Sequence, residues 1–170
     1  MNEIRVNRKA AERLAGGHPW IFASDLTDRD GALPGHVVKV ADPRGRALGT
    51  AHYSSTSQIS LRMLSRQVEE IGRDFFLRRL RAAEAHRRHL VRHSDAYRVV
   101  HAEADLLPAL IVDRYGDYLV VQTLDQGMDA AKADRGTSTR IQGQLTTARP
   151  ETCRAFSATC HCGNPPPAEL

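Results

Sequence analysis

The sequence contains little cysteine and no long apolar run. Its three cysteines, Cys153, Cys160 and Cys162, all fall in the last 18 residues, so nothing in the first 152 residues suggests a disulfide-stapled secreted scaffold. No run of ~18 apolar residues marks a transmembrane helix, and the first residues lack the apolar core of a signal peptide. We therefore expect a protein of the cytoplasm with no membrane partner.

Large apolar side chains are scarce in the last quarter of the chain. Residues 1–129 contain 41 Val, Ile, Leu, Met, Phe, Trp or Tyr residues, whereas residues 130–170 contain only four. A segment with so few cannot bury enough surface to offset the entropy lost on ordering. The composition therefore predicts a disordered tail over 130–170.

Positive charge is concentrated in the first half. Residues 1–93 hold 17 Lys and Arg against 10 Asp and Glu, a net charge of +7, whereas residues 94–170 hold 7 against 10, a net charge of −3. This asymmetry is typical of a phosphate-facing module beside a neutral one. An ordinary solvated arginine-rich surface would show the same asymmetry, and charge alone leaves the two readings open.

Short strand-like runs separated by Gly and Pro turns follow the first helix. A helix over 8–15 is ended by Gly16 and Gly17. Strands over 37–40 and 48–53 flank the turn 42–45, and a third strand covers 59–64. Closely spaced short strands with such turns indicate a small β-barrel-like domain, which we assign to residues 1–72.

A helical period and then a β-hairpin come next. Over 73–93, Phe76, Leu80, Ala83 and Leu90 share one face, and several arginines share another. Two β runs at 110–114 and 118–122 flank Tyr115-Gly116-Asp117, which predicts a hairpin. The sequence thus predicts an α+β chain with a barrel at 1–72, a basic linker helix at 73–93 and a partial central β domain at 94–129.

Two stretches, 15–22 (AGGHPWIF) and 102–117 (AEADLLPALIVDRYGD), resemble one family. It comprises the class I SAM-dependent methyltransferases that methylate C5 of a cytosine in large-subunit ribosomal RNA. The resemblance covers about residues 3–129. It implies a PUA domain, which is a small RNA-binding β-barrel, then a helix and a central β domain, and finally a Rossmann-like catalytic domain.

The chain departs from the family in two ways. The family has Gly where this chain has Ala102 and Ala109, which we do not expect to change the fold. The matching also stops near residues 127–129, and only about 40 unrelated residues follow. We therefore expect a truncated or frameshifted front half without the catalytic domain.

We find no residues that would support methyl transfer in this chain. A SAM site needs a Gly-rich turn between a strand and a helix, and the run 119–121 leading to Gly127 is a weak candidate. The cysteines lack a scaffold that would position one as the nucleophile, and Cys160-His161-Cys162 has poor zinc geometry. We predict no catalytic, cofactor or metal residues here, although SAM serves the parent family.

Ribosomal RNA is the expected partner. Trp20 could stack on an unpaired base or fill the barrel core, and for Phe22 we favour the core. The target nucleotide and the oligomeric state stay open. The predicted RNA-binding residues, which are basic except for one aromatic, are Arg5, Arg8, Lys9, Arg13, Trp20, Arg44, Arg46, Arg62, Arg78, Arg81 and Arg88.

Three hypotheses follow for the function. The first is an RNA-binding module that contacts mainly phosphates. The second is the activity of the intact parent, a SAM-dependent ribosomal RNA methyltransferase. The third is a remnant whose incomplete second domain leaves the hairpin at 110–122 as an aggregation-prone edge.

Overall fold

The computed structural model describes residues 1–133 and the strand at 146–148. These residues form two β-sheets with helices, so the predicted α+β fold class is confirmed. In chain order the elements are β1 (Glu3–Val6), α1 (Arg8–Ala15), β2 (Trp20–Phe22), β3 (Leu26–Asp28), β4 (Val37–Ala41), β5 (Ala47–Tyr53), β6 (Ile59–Ser65), α2 (Arg73–Leu90), β7 (Ala96–His101), β8 (Leu110–Tyr115), β9 (Tyr118–Thr123), α3 (Gln126–Ala133) and β10 (Thr146–Ala148).

The first sheet curls into an open half-barrel, which we call the barrel. Its strand order is β2-β6-β5-β4-β1-β3, and β1 runs parallel to β4 while the other neighbours are antiparallel. Alternating side chains such as Ile4, Val38 and Leu61 are fully buried in one core. Helix α1 covers this core with Ala10 and Leu14, and Asn7 caps the helix by accepting a hydrogen bond from the Ala10 N–H at 2.8 Å.

The second sheet has the order β10-β9-β8-β7. Helix α2 packs on it, and Phe76 and Leu80 share a core with Val112 and Val121. Helix α2, predicted as a linker over 73–93, therefore belongs to the second core, and it ends at Leu90. The predicted apolar face is wrong at its last member, because Leu90 is 62% exposed.

The predicted hairpin is confirmed. Strands β8 and β9 pair antiparallel from Leu110↔Thr123 to Tyr115↔Tyr118, so Gly116 and Asp117 form a two-residue turn. Gly116 has φ +56°, a left-handed conformation that hairpin turns require and glycine adopts at little cost.

Part of the stretch predicted as disordered forms regular elements. Helix α3 continues to Ala133, and β10 pairs with β9 through Thr146↔Val121. The remaining residues of that prediction lie outside the described residues. So do the three cysteines of the sequence.

Candidate nucleic-acid interface

Several segments of the barrel bring basic side chains to one end. Because β1 is parallel to β4, and β4, β5 and β6 are successively antiparallel, the ends of β1, β4 and β6 meet there. Helix α1 starts at that end, and so does β5. We call this surface the basic end, and it consists of Arg8, Lys9, Arg44, Arg46 and Arg66.

The cations of the basic end are exposed and weakly held. Arg8 pairs with Glu12 at 2.7 Å, but its side chain is 88% exposed. Arg46 pairs with Asp42 at 3.2 Å and is 78% exposed. Exposed ion pairs of this kind contribute little to stability. A phosphate group could therefore replace these carboxylates at small cost.

The other three cations of the basic end, Lys9, Arg44 and Arg66, are exposed and form no ion pair with any carboxylate in the described part of the chain. Sequence reasoning missed Arg66, because it follows β6 in a segment without periodicity. Its Nη2 atom lies 3.2 Å from the position that a Cβ would take on Gly17, where φ is +97°. The Gly16-Gly17 pair between α1 and β2 was the available signal, since a side chain there would crowd Arg66.

The basic surface continues from the barrel onto α2. The Glu69 N–H donates to Oγ1 of Thr50 at 3.2 Å, and Thr50 pairs with Ser65 at the end of β6. Glu69 also lies 3.7 Å from Nη2 of Arg78, whose side chain is 64% exposed. The first turns of α2 therefore lie beside the basic end.

The arginines of α2 divide into two sets. Arg79 and Arg87 turn inward, with Arg79 4.0 Å from the centre of the Phe75 ring and Arg87 in a bidentate pair with Asp105 at 2.7 and 2.6 Å. Arg73, Arg78, Arg81 and Arg88 are exposed, and we call the last three the α2 arginine row. All three were predicted from the sequence.

Two other predicted residues are already paired within the barrel. Arg5 pairs with Glu3 at 3.1 Å. Arg13 pairs with the buried Asp25 and lies over the Phe22 ring at 5.3 Å. Burial acts to raise the pKa of Asp25, but hydrogen bonds from Arg13, from the Phe22 N–H and from Asn7 hold it below its usual value. Arg13 therefore has a structural partner that the sequence did not indicate.

Trp20 and Arg62 lie where the barrel meets the second domain. Nε1 of Trp20 donates to Oε1 of Glu103 at 2.7 Å, and Nη1 of Arg62 donates to the same oxygen at 3.1 Å. Arg62 also lies 3.4 Å from Oδ2 of Asp125, and its side chain is only 13% exposed. These two predicted RNA-binding residues are thus engaged in an interdomain contact, apart from the basic end.

The junction of β9 and α3 is the weak cofactor candidate of the sequence, and its geometry does not fit SAM. A Cβ on Gly127 would lie 2.3 Å from Cγ of His52, so the space beside this glycine is filled by an imidazole. Asp125 caps α3 through the Met128 N–H at 2.7 Å, and burial raises its pKa. Gly127 therefore allows the two domains to pack closely, and Asp125 caps helix α3.

His52 is the buried partner in this packing. It is 1% exposed and stacks on Phe76 with ring centres 6.4 Å apart. Desolvation lowers its pKa to about 4. Gln126 adds a polar contact next to it, accepting from the Ser55 N–H at 2.9 Å. The neutral imidazole therefore joins the two domains.

Among the described residues no group of His, Cys, Asp or Glu could hold a metal ion. None of the described helices is long and apolar enough to span a bilayer. The three cysteines and the Cys160-His161-Cys162 motif, for which we predicted neither a catalytic nor a zinc site, lie outside the described part of the chain.

The first domain matches a known family model. Residues 4–66 match the model of the PUA-like domain. These residues run from β1 to the position just after β6, which is the barrel described above.

The similarity to curated relatives extends beyond this domain. A protein named ribosomal RNA large subunit methyltransferase I from Tolumonas auensis is 42% identical over 130 residues, covering 74% of this chain and 33% of the relative. The same-named protein of Shewanella amazonensis is 43% identical over 132 residues, with 74% and 33% covered. That of Erwinia tasmaniensis is 40% identical over 120 residues, with 68% and 30% covered. The chain thus spans about a third of the length of these relatives.

A solved structure has the same fold. A candidate SAM-dependent methyltransferase from Streptococcus mutans superposes with a TM-score of 0.67 at 19% identity, over 78% of this chain and 36% of that one. The chain therefore has a PUA-like domain at its N-terminus and is homologous to part of the ribosomal RNA large subunit methyltransferase I proteins.

Proposed function

We propose that this chain binds RNA through a continuous basic surface formed by the basic end of the barrel and the α2 arginine row. The observation that carries the proposal is the convergence of exposed cations from three separate segments, the start of α1, the β4–β5 turn and the residue after β6, at one barrel end. Three of these cations, Lys9, Arg44 and Arg66, form no ion pair within the described residues. Exposed cations that come together without carboxylates suit a polyanion.

Phosphate contacts would supply most of the affinity. Guanidinium groups bind phosphate oxygens in a bidentate manner, and each neutralised phosphate releases counterions. If about eight cations contact a single strand, the slope of log affinity against log salt should reach about −6. An affinity that does not change with salt concentration would contradict the proposal.

The PUA-like match and the named relatives support ribosomal RNA as the ligand and the cytoplasm as the place of action. In the intact relatives this unit would present RNA to a SAM-dependent domain that methylates C5 of a cytosine. The space beside Gly127, the candidate cofactor glycine, is filled by His52, so we assign no chemical step to that turn. We propose that SAM serves only the longer parent protein.

The test is a salt titration of RNA binding with paired variants. The Arg44→Ala/Arg66→Ala variant removes two cations of the basic end and should weaken binding roughly tenfold or more while making the salt slope shallower by about 1.4. Arg29→Ala is the charge control, because Arg29 follows β3 at the opposite end of the barrel and is equally exposed. Equal losses of affinity per cation removed in the two variants would mean that net charge, and not this surface, attracts RNA.

The second hypothesis, methyltransferase activity, rests on the names of the relatives. Calorimetry with SAM as the titrant separates the two hypotheses. Heat with an RNA fragment but none with SAM would favour the RNA-binding module alone. Micromolar SAM binding would place a cofactor site in residues outside the described part of the chain. An aggregating chain without a cooperative melt would favour the third hypothesis, a remnant.

A further inference from the structure

One carboxylate oxygen joins the two domains. Oε1 of Glu103 accepts hydrogen bonds from Nε1 of Trp20 on β2 and from Nη1 of Arg62 on β6. The Arg62 side chain is 13% exposed and that of Glu103 is 24% exposed. A largely desolvated guanidinium needs counter-ions, and both of those of Arg62, Glu103 and Asp125, follow β7 in the chain. These contacts therefore resist separation of the barrel from the second domain.

The residues next to Glu103 are bound to α2. Glu103 lies in the 3₁₀ turn Ala102–Asp105, and Asp105 forms the bidentate pair with Arg87 of α2. Arg79 of α2 donates to the Leu106 carbonyl immediately after the turn. The turn is therefore attached to the barrel on one side and to the helix on the other.

This linkage spans the two halves of the proposed RNA surface. The basic end belongs to the barrel, and the α2 arginine row belongs to a helix that packs in the second core. Two linked binding surfaces give a combined affinity only when their geometry lets one ligand reach both. The relative placement of the barrel and α2 thus sets whether a strand can contact both surfaces.

We infer that Glu103 is a positioning residue that holds the basic end and the α2 arginine row in register, so that one RNA strand contacts both. This inference rests on the proposed RNA-binding function and adds a determinant outside the basic surface itself. The expected change in RNA affinity also has an unusual sign. Removing a negative charge should strengthen binding to an anion, but loss of Glu103 should weaken it.

The experiment compares Glu103→Gln with Glu70→Gln in the full chain. Glu70 is exposed and has no ion pair within the described residues, so its variant is a matched charge control. Uridine oligomers of about 6 and about 30 nucleotides are the probes, within and well beyond the ~4–16 nucleotides that one small domain covers. Trp20 is the only tryptophan in the chain, so its emission reports directly on the contact.

We expect Glu103→Gln to shift the Trp20 emission to longer wavelength and to weaken binding of the long oligomer about tenfold or more. Its affinity for the short oligomer should match the wild type. Glu70→Gln should bind both oligomers as tightly as the wild type or slightly more tightly. The salt slope of Glu103→Gln with the long oligomer should fall towards that of the short one.

Two outcomes would overturn the inference. One is a folded Glu103→Gln protein that binds the long oligomer like the wild type, and the other is an equal loss with both oligomers. If Glu103→Gln does not fold, Glu103→Asp keeps the charge and should show a smaller loss confined to the long oligomer. Absence of salt-dependent binding in the wild type would instead refute the proposed function.

Discussion

The barrel and the second domain both contain residues with a left-handed (positive φ) backbone, but they place mostly different residue types at these positions. In the barrel, the left-handed positions include Gly17, Gly45 and Gly49, with φ of +97°, +80° and +143°. In the second domain, the loop between β7 and β8 places Ala102, Leu106 and Ala109 at φ of +44°, +58° and +61°. A non-glycine residue in this region costs roughly 1–2 kcal/mol. Apart from Asp30 at φ +42°, the barrel therefore has relaxed turns, whereas the second domain carries three strained positions in one loop.

The strained loop is also the one that holds the interdomain contact. Glu103 and Asp105 lie between Ala102 and Leu106. The strain is retained because Glu103 binds the barrel and Asp105 binds Arg87. The comparison shows that the second domain depends on its neighbours for a conformation that the barrel achieves mainly through glycine.

The largest expected effect is in the barrel. Gly49→Ala should lower the free energy of unfolding by about 4 kcal/mol, because a Cβ would lie 2.1 Å from the Ser65 carbonyl oxygen at φ +143°. Urea denaturation measures the change. Gly45→Ala is the matched control, since it has φ +80° but nothing within 4 Å of a Cβ, and it should cost only about 1 kcal/mol. Equal costs would show that close packing at Gly49 is unimportant.

The second expected effect is a pH dependence of the free energy of unfolding, and it arises at His52, where the two domains meet. The pKa of His52 is lowered from 6.5 to about 4 by burial, so the fold favours the neutral ring. That stabilisation is complete above pH 6.5 and is lost as the pH falls from 6.5 to about 4, by up to about 3 kcal/mol. Asp125 opposes it, because its pKa is raised.

Denaturation midpoints measured across this pH range check the prediction. His52→Gln removes the titrating ring and should flatten the loss between pH 6.5 and 4. A variant with the same pH dependence as the wild type would assign that dependence to other groups.

A third prediction concerns the packing of α3 against β5. Gly127→Ala should destabilise the chain by about 2 kcal/mol, because the new Cβ would overlap the His52 ring. In a His52→Ala background the same change should stabilise by about 1 kcal/mol, since alanine is the better helix former. A double-mutant cycle measures the coupling, and additive effects would argue against this contact.

The smallest expected effect releases strain in the second domain. Leu106→Gly should raise the free energy of unfolding by about 1 kcal/mol, because Leu106 is 62% exposed and loses little burial. Ala109→Gly should be nearly neutral, since Ala109 is 2% exposed and its buried methyl is worth about 0.8 kcal/mol. Thermal or urea melts of both variants test the difference, and destabilisation by Leu106→Gly would contradict the strain argument.

Local patterns predicted the elements well. The turn residues Gly116 and Asp117 between two β runs identified the hairpin, and the Gly16-Gly17 pair marked the end of α1. The 100° period of residues 73–93 found α2 and its exposed arginines. It failed at Leu90, because a helix pattern does not show where the neighbouring sheet ends.

The sequence did not show which residues form ion pairs or hydrogen bonds with the charged side chains. Arg62 and Trp20 resembled RNA contacts, but Glu103 lies 41 and 83 residues away from them in sequence. The family's glycines at positions 102 and 109 were noted as a minor departure. The positive φ angles at both positions show their physical reason, which no single-sequence pattern displays.

Composition, hydrophobic period and local motifs are enough to predict the α+β elements, the basic first half and the resemblance to ribosomal RNA methyltransferases, because none of these depends on contacts between distant residues. Which cations stay exposed, in contrast, follows from the folded arrangement. Strand pairing brought Lys9, Arg44 and Arg66 to one end of the barrel. Arg13, Arg62 and Arg87 are instead largely buried and form ion pairs with carboxylates. Coulombic attraction and desolvation depend on distances through space, and those distances exist only once the strands have paired.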